Sequence, residues 1–215
     1  MNRRKLLLLG VPAALILLVL ILVLALRGPS GPVVVCLDPG HGGSAAGAVN
    51  GERMEKDDNL RVALRVRDLL ESADADLTVV MTRTEDVDVG LEERTDFAKA
   101  QGATMFVAIH RNSGGASGIE TWTAAKPKAG DTALAKAIQT RLLAVAETTD
   151  RGVRKGTAAD ADKNYFVLSH TAKIPSCLVE LGFIDSDADN ALLDAHLDEY
   201  AAAIADGILD AAGLK

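Results

Sequence analysis

Short unbroken apolar runs alternate along this chain with longer stretches in which apolar residues recur every three or four positions. Val33-Val34-Val35-Cys36-Leu37 is one such run, the pattern of a strand covered on both faces. Glu55 to Glu71 follows, with Leu60, Val62, Ala63, Leu64, Val66, Leu69 and Leu70 forming the wide apolar face of a helix. Thr78–Thr82 reads as the next strand, and Leu91–Gln101 as a helix stopped by Gly102. Thr104–Ile109 is a second buried strand, and Ile119–Thr123 a strand of more exposed character. Asp131 is a good N-cap for an Ala/Leu-rich helix over Thr132–Glu147. Tyr165–Leu168 and Ser176–Leu181 add two strands, and Leu197–Ala212 is the closing helix. The order βαβαββαββα predicts an α/β fold, a mostly parallel central sheet flanked by helices, in a single domain.

The N-terminus breaks this pattern. The 21 residues Leu6–Leu26 carry no charge and are long enough to cross a bilayer core. Arg3, Arg4 and Lys5 precede them, which keeps that end in the cytoplasm and places the rest outside. Two fates fit: a retained anchor, favoured by the length of the run, or a signal cleaved near Val23-Leu24-Ala25. The chain therefore divides into residues 1–27, flank and anchor or signal peptide; 28–32, a short linker; and 33–215, the α/β domain. The domain is expected to be extracytoplasmic, held to the membrane by one helix or secreted.

Charge narrows the partners. Arg3, Arg4, Lys5 and Arg27 leave 19 of the 23 basic residues against all 30 acids for the remainder, a balance of −11. That argues against phosphate-driven nucleic-acid binding and disfavours anionic polymers unless a local basic patch exists. Cys36 and Cys177 both lie in apolar runs; export permits a disulfide, and two buried thiols fit equally well.

Several chemistry-bearing residues stand at predicted strand ends. Asp38-Pro39-Gly40-His41-Gly42-Gly43 follows the first strand, and in open α/β sheets sites form beyond the carboxyl ends of strands. Glu55, with Glu52 as a competitor, opens the first helix, where a carboxylate is favoured in any case by the helix dipole. His110 ends the run Thr104–Ile109, followed by Arg111, Asn112 and Ser113. Glu180 closes Ser176-Cys177-Leu178-Val179, where burial without a partner would cost several kcal/mol. Two imidazoles and a carboxylate with an open fourth position make a hydrolytic zinc site.

DPGHGG, EKDDNL, IHRN and LVELGF, in this order and joined by GIETW at Gly118–Trp122, resemble the zinc-dependent N-acetylmuramoyl-L-alanine amidases of bacterial cell walls. The likeness covers about residues 33–213. It implies one zinc ion held by His41, Glu55 and His110, and Glu180 as catalytic carboxylate; because the family's ligand opens the EKDDNL motif, it selects Glu55 over Glu52. The implied reaction, with peptidoglycan as partner, cleaves the amide between the lactyl group of muramic acid and L-alanine of the stem peptide. Two other functions fit less well: a zinc amidohydrolase or peptidase on another amide, and a non-catalytic wall-binding regulator, which the intact quartet disfavours.

The chain departs from the family at Arg111, where a small residue is usual, and at Asp185-Ser186 after GFI. Arg111 is expected in solvent or a surface pair, with a substrate carboxylate as the alternative. Asp38 would orient a ligand histidine or make a turn before Pro39, and Asn112 is placed to support the site. His170 is read as a solvated loop histidine that could reach substrate, and His196 as surface. Arg83 and Arg94 are read as structural, and Trp122 as core or a sugar platform. No inserted helix is evident between Trp122 and Tyr165 to block the metal, so the site is expected to be open without a protein activator.

Overall fold

The computed structural model describes residues 32–215, and Pro32–Lys215 forms one compact unit. The expected anchor or signal over Leu6–Leu26 lies outside the described residues, as does the linker up to Gly31. Among the described residues, no helix is long and apolar enough to cross a membrane.

The α/β expectation holds. Eight strands form among the described residues: β1 (Val33–Pro39), β2 (Val49–Asn50), β3 (Arg53–Met54), β4 (Leu77–Met81), β5 (Met105–Asn112), β6 (Ile119–Thr123), β7 (Asp150–Lys155) and β8 (Ser176–Phe183). Six of them make one sheet in the order β4-β1-β5-β8-β6-β7, and β2 and β3 pair as a small antiparallel ribbon. Within the sheet only β6 and β8 run antiparallel. The helices are α1 (Glu55–Ser72), α2 (Leu91–Ala100), α3 (Asp131–Leu143), α4 (Phe166–Ser169), α5 (Asp187–Ala195) and α6 (Leu197–Ala212).

Both faces of the sheet are covered, which is why its central strands read as unbroken apolar runs. Val35, Leu37, Val107, Ile109 and Val179 pack with α1, α3 and α6 on one side. Cys36, Phe106, Ala108, Trp122 and Leu178 pack with Ala98 of α2 and Val167 and Leu168 of α4 on the other. Cys36 and Cys177 therefore belong to opposite layers; both are free and buried, and burial pushes both thiols up. Gly207 lets α6 lie against α3, since a Cβ there would sit 2.7 Å from the Ile138 Cα.

Several expected elements change. Tyr165–Leu168 is not a strand: Phe166–Ser169 forms one helical turn, with Leu168 N–H donating to Tyr165 O and His170 N–H to Phe166 O. A four-residue apolar run serves either form, and here two of its side chains, Val167 and Leu168, fill the second layer. The strand β7, DRGVRK, is absent from the sequence reading because it is an edge strand with charged side chains. The helix α5 is likewise unforeseen; Ser186 caps it, accepting from Asp189 N–H, but only Asp189 and Leu193 are buried, so no apolar stripe announces it. Helix α3 stops at Leu143 rather than Glu147, and its N-cap is Gly130 at φ 91, not Asp131. The Asp131 carboxylate instead accepts from the N–H groups of Lys128 and Ser176, tying the helix start to β8. β6, expected to be partly exposed, is buried throughout because β7 and β8 flank it and α3 covers it.

Because β1, β5 and β8 are parallel, their carboxyl ends share one edge of the sheet. The antiparallel β6 and its partner β7 bring their first residues to that same edge.

Candidate functional site

His41, Glu55 and His110 meet at this edge. His41 Nε2 lies 3.2 Å from Glu55 Oε2, and His110 Nδ1 lies 2.8 Å from Glu55 Oε1. The two imidazoles stand edge to face, 5.1 Å between centroids. One donor atom from each of the three residues lies within 4.8 Å of the others. Two imidazoles and a carboxylate gathered this way fit a zinc ion and leave part of its coordination sphere for water and substrate.

The loop after β1 is shaped to present His41. Its φ of 61° is a conformation that side-chain-bearing residues seldom adopt. Two buried arginines hold it there. Arg94 donates to the carbonyls of Pro39 and His41, and Arg83 to those of Pro39, Gly40 and Lys56. Such pinning offsets local backbone strain. Gly40 is required by proximity: a Cβ there would sit 2.2 Å from the His110 ring.

Glu55 is the first residue of α1 and is buried. Its oxygens accept from the backbone N–H of Ala48 at 2.8 Å and of Arg111 at 3.2 Å, and from Asn59 Nδ2 at 3.3 Å. Burial pushes its carboxyl up, but hydrogen bonds from His110 and His41 outweigh that and hold it well below the ordinary carboxylate range.

Glu180 differs. It sits between His110 on β5 and Glu120 on β6 in the sheet register. Its Oε2 is buried without a hydrogen-bond partner, which costs roughly 1–3 kcal/mol. Burial first, then the nearby Glu55 and Glu120 carboxylates, push its pKa well up, with Arg111 pulling weakly the other way. A carboxyl group in that state can hold and return a proton.

These residues line a cleft of about 500 Å³. Val89, Leu91, Tyr165, Phe166 and Val167 supply its apolar lining. The Tyr165 hydroxyl is pushed up to about 12, by burial first and then by Glu180. None of the lining residues comes from the stretch 124–164, so α3 does not intrude.

The remaining expected residues fall differently. Asp38 touches neither histidine; its Oδ1 accepts from Thr82 Oγ1 and Arg94 Nη1, both at 2.6 Å, so it acts on the His41 loop through Arg94. Arg111 is not in solvent. Its guanidinium is buried against Asp58 and donates to Asn190 Oδ1 and the carbonyls of Gly182 and Phe183. A register shift in β5 between His110 and Asn112 leaves Arg111 out of the pairing with β8, which permits this inward course. Asn112 lines the cleft and donates to Glu120 Oε1 at 2.7 Å. His170 is exposed, stacked on Phe166 at 3.7 Å, and is not among the cleft residues. Trp122 is core and donates to Glu120 Oε1, while Glu52 is exposed. Glu120 itself is the residue the sequence reading missed as chemistry: a carboxylate inside an apolar strand, the same signal that singles out Glu180.

A family model described as N-acetylmuramoyl-L-alanine amidase matches residues 35–210. The chain is 35% identical over 185 residues to the sporulation-specific N-acetylmuramoyl-L-alanine amidase of Bacillus subtilis, covering 85% of this chain and 69% of that protein. In structure it is similar to the catalytic domain of CwlV, an N-acetylmuramoyl-L-alanine amidase from Bacillus (Paenibacillus) polymyxa var. colistinus, with TM-score 0.76 and 32% identity over 85% of this chain and 99% of that one. It is also similar to the CwlD amidase of Clostridioides difficile, solved in complex with the GerS lipoprotein, with TM-score 0.75 and 30% identity over 85% of this chain and 100% of that one.

Proposed function

The chain belongs to the N-acetylmuramoyl-L-alanine amidase family of peptidoglycan hydrolases, and we propose that it works with one zinc ion held by His41, Glu55 and His110 and with Glu180 as proton carrier. The observation that carries the assignment of roles is the contrast between the two carboxylates. Glu55 accepts from two backbone N–H groups and Asn59, whereas Glu180 is buried beside it with an oxygen that bonds to nothing. Zinc, when bound, supplies Lewis acidity that polarises the scissile carbonyl and lets water ionise near neutral pH. Glu180 takes the proton of the attacking water and returns it to the departing amine of L-alanine. Asn59 and the backbone N–H groups of Ala48 and Arg111 fix the Glu55 carboxylate throughout.

The test is digestion of purified peptidoglycan by the zinc-loaded chain. Stem peptides with a free N-terminal L-alanine are expected, lost with a chelator and restored by zinc, as read by mass spectrometry. Release at undiminished rate in chelator would remove zinc from the reading. The cleft is open among the described residues, which supports activity without an added protein; the GerS complex of the CwlD relative is the precedent for an activator.

Cell-wall amidases act outside the cytoplasm, and Leu6–Leu26 supports export of this one. We favour a retained anchor ahead of a domain over 33–215, given the length of the run. Fractionation of producing cells checks this: the chain is expected in the membrane fraction, and a shortened chain in the medium would mean a cleaved signal.

A further inference from the structure

The domain is acidic, yet two arginines converge beside the cleft. Where β7 meets Glu120 its pairing is irregular: Ile119 pairs with Asp150 and Glu120 with Gly152, so Arg151 is an extra residue in a bulge. Gly152 adopts φ 79 to make it. In a regular strand, Arg151 and Arg154 would point to opposite faces. The bulge instead brings both to one carboxylate. Arg151 Nε donates to Glu120 Oε2 at 2.9 Å, and Arg154 Nε lies 3.9 Å from the same atom. Aromatic rings hold both guanidinium groups, Arg151 over Phe183 at 4.9 Å and Arg154 over Trp122 at 5.2 Å. Trp122 in turn meets Tyr165, which lines the cleft, and Asn112 of the cleft shares Glu120 with Arg151.

Two guanidinium groups against one carboxylate leave one positive charge uncompensated. The Arg154 guanidinium makes no hydrogen bond among the described residues, and the Arg151 guanidinium uses only its Nε. The side chains are 30% and 46% exposed, which leaves their unused donors accessible, and a guanidinium presents such donors as a fork that takes a carboxylate in two parallel bonds. We infer that Arg151 and Arg154 form a carboxylate subsite for the stem peptide, receiving the free carboxylate of the residue that follows L-alanine. The inference rests on the amidase reading above. Its reach is right. Strands lie about 4.8 Å apart, so β7 is roughly 10 Å from β8 and Glu180, and an arginine spans several of those ångströms. A second peptide residue lies about 7 Å from the scissile amide in an extended chain. It also supplies the local basic patch that an acidic domain needs to hold an anionic peptide.

The test compares two synthetic muropeptides that differ only in the second stem residue, free carboxylate against carboxamide, with the zinc-loaded full chain. Wild type should favour the free acid by about tenfold in kcat/KM, carried by KM. Arg154→Gln should abolish the preference by slowing the free acid alone, and Arg154→Lys should keep part of it. Arg154 is the residue to change because Glu120 then keeps Arg151. Equal kcat/KM on both substrates in wild type, or an equal loss on both in Arg154→Gln, overturns the subsite. Cleavage of neither substrate overturns the amidase reading instead.

Discussion

Glu180→Ala is expected to bind zinc as wild type does and to release no stem peptide above about one-hundredth to one ten-thousandth of the wild-type rate, the usual span for removing a general acid–base group. The two readouts separate because Glu180 is not among the three residues whose donor atoms cluster. His41→Ala, which removes one of those three, should lose metal and activity together. The stability of the metal-free Glu180→Ala protein should rise rather than fall. The wild type buries a carboxyl oxygen without a partner next to two other carboxylates, and alanine removes that cost of roughly 1–3 kcal/mol. Zinc stoichiometry by metal analysis, turnover by peptide release and urea unfolding in chelator read the three effects. A Glu180→Ala enzyme that still turned over at the wild-type rate would sink the proposed role.

The metal cluster was legible because parallel strands impose a common edge. His41 and His110 each follow or end an apolar run, and any parallel pairing of those runs brings them together. Glu180 was legible for a simpler reason, a carboxylate in a run that has to be buried. What escaped was everything whose burial has no hydrophobic signature. β7 is charged because it is an edge, and α5 is polar because one end of it caps a loop and only Leu193 enters the core. Arg111 is the clearest case. Its type predicts solvent, and only the offset pairing of β5 with β8 and a carboxylate on α1 turn it inward. Asp38 shows the same limit from the other side. Its position suggested a hydrogen bond to histidine, but Arg94, distant in sequence, takes the carboxylate and passes the constraint to the His41 carbonyl.

Asp58→Ala is expected to be the most destabilising single change outside the hydrophobic core, about 3–5 kcal/mol, because it leaves Arg111 buried without its counter-charge. The Arg111 guanidinium is fully buried, and burial already pulls its pKa down. Arg53 also bonds Asp58, so the same substitution places two arginines side by side, with Asp194 left to Arg53 and only the charge of Asp189 acting on Arg111. Arg111→Ala should cost less, about 2–3 kcal/mol, since Asp58 keeps Arg53 while Asn190 and the carbonyls of Gly182 and Phe183 lose a donor. The double variant should cost well below the sum, because neither charge is then stranded, and the coupling measures the pair. Urea unfolding in chelator reads these values free of metal linkage. Zinc affinity should weaken in parallel, because the Arg111 N–H donates to Glu55 and Asp58 lies in the first turn of the helix that Glu55 opens. Strictly additive costs would mean that the two residues act independently, and an unchanged zinc affinity would mean that this buried pair does not hold Glu55 in place.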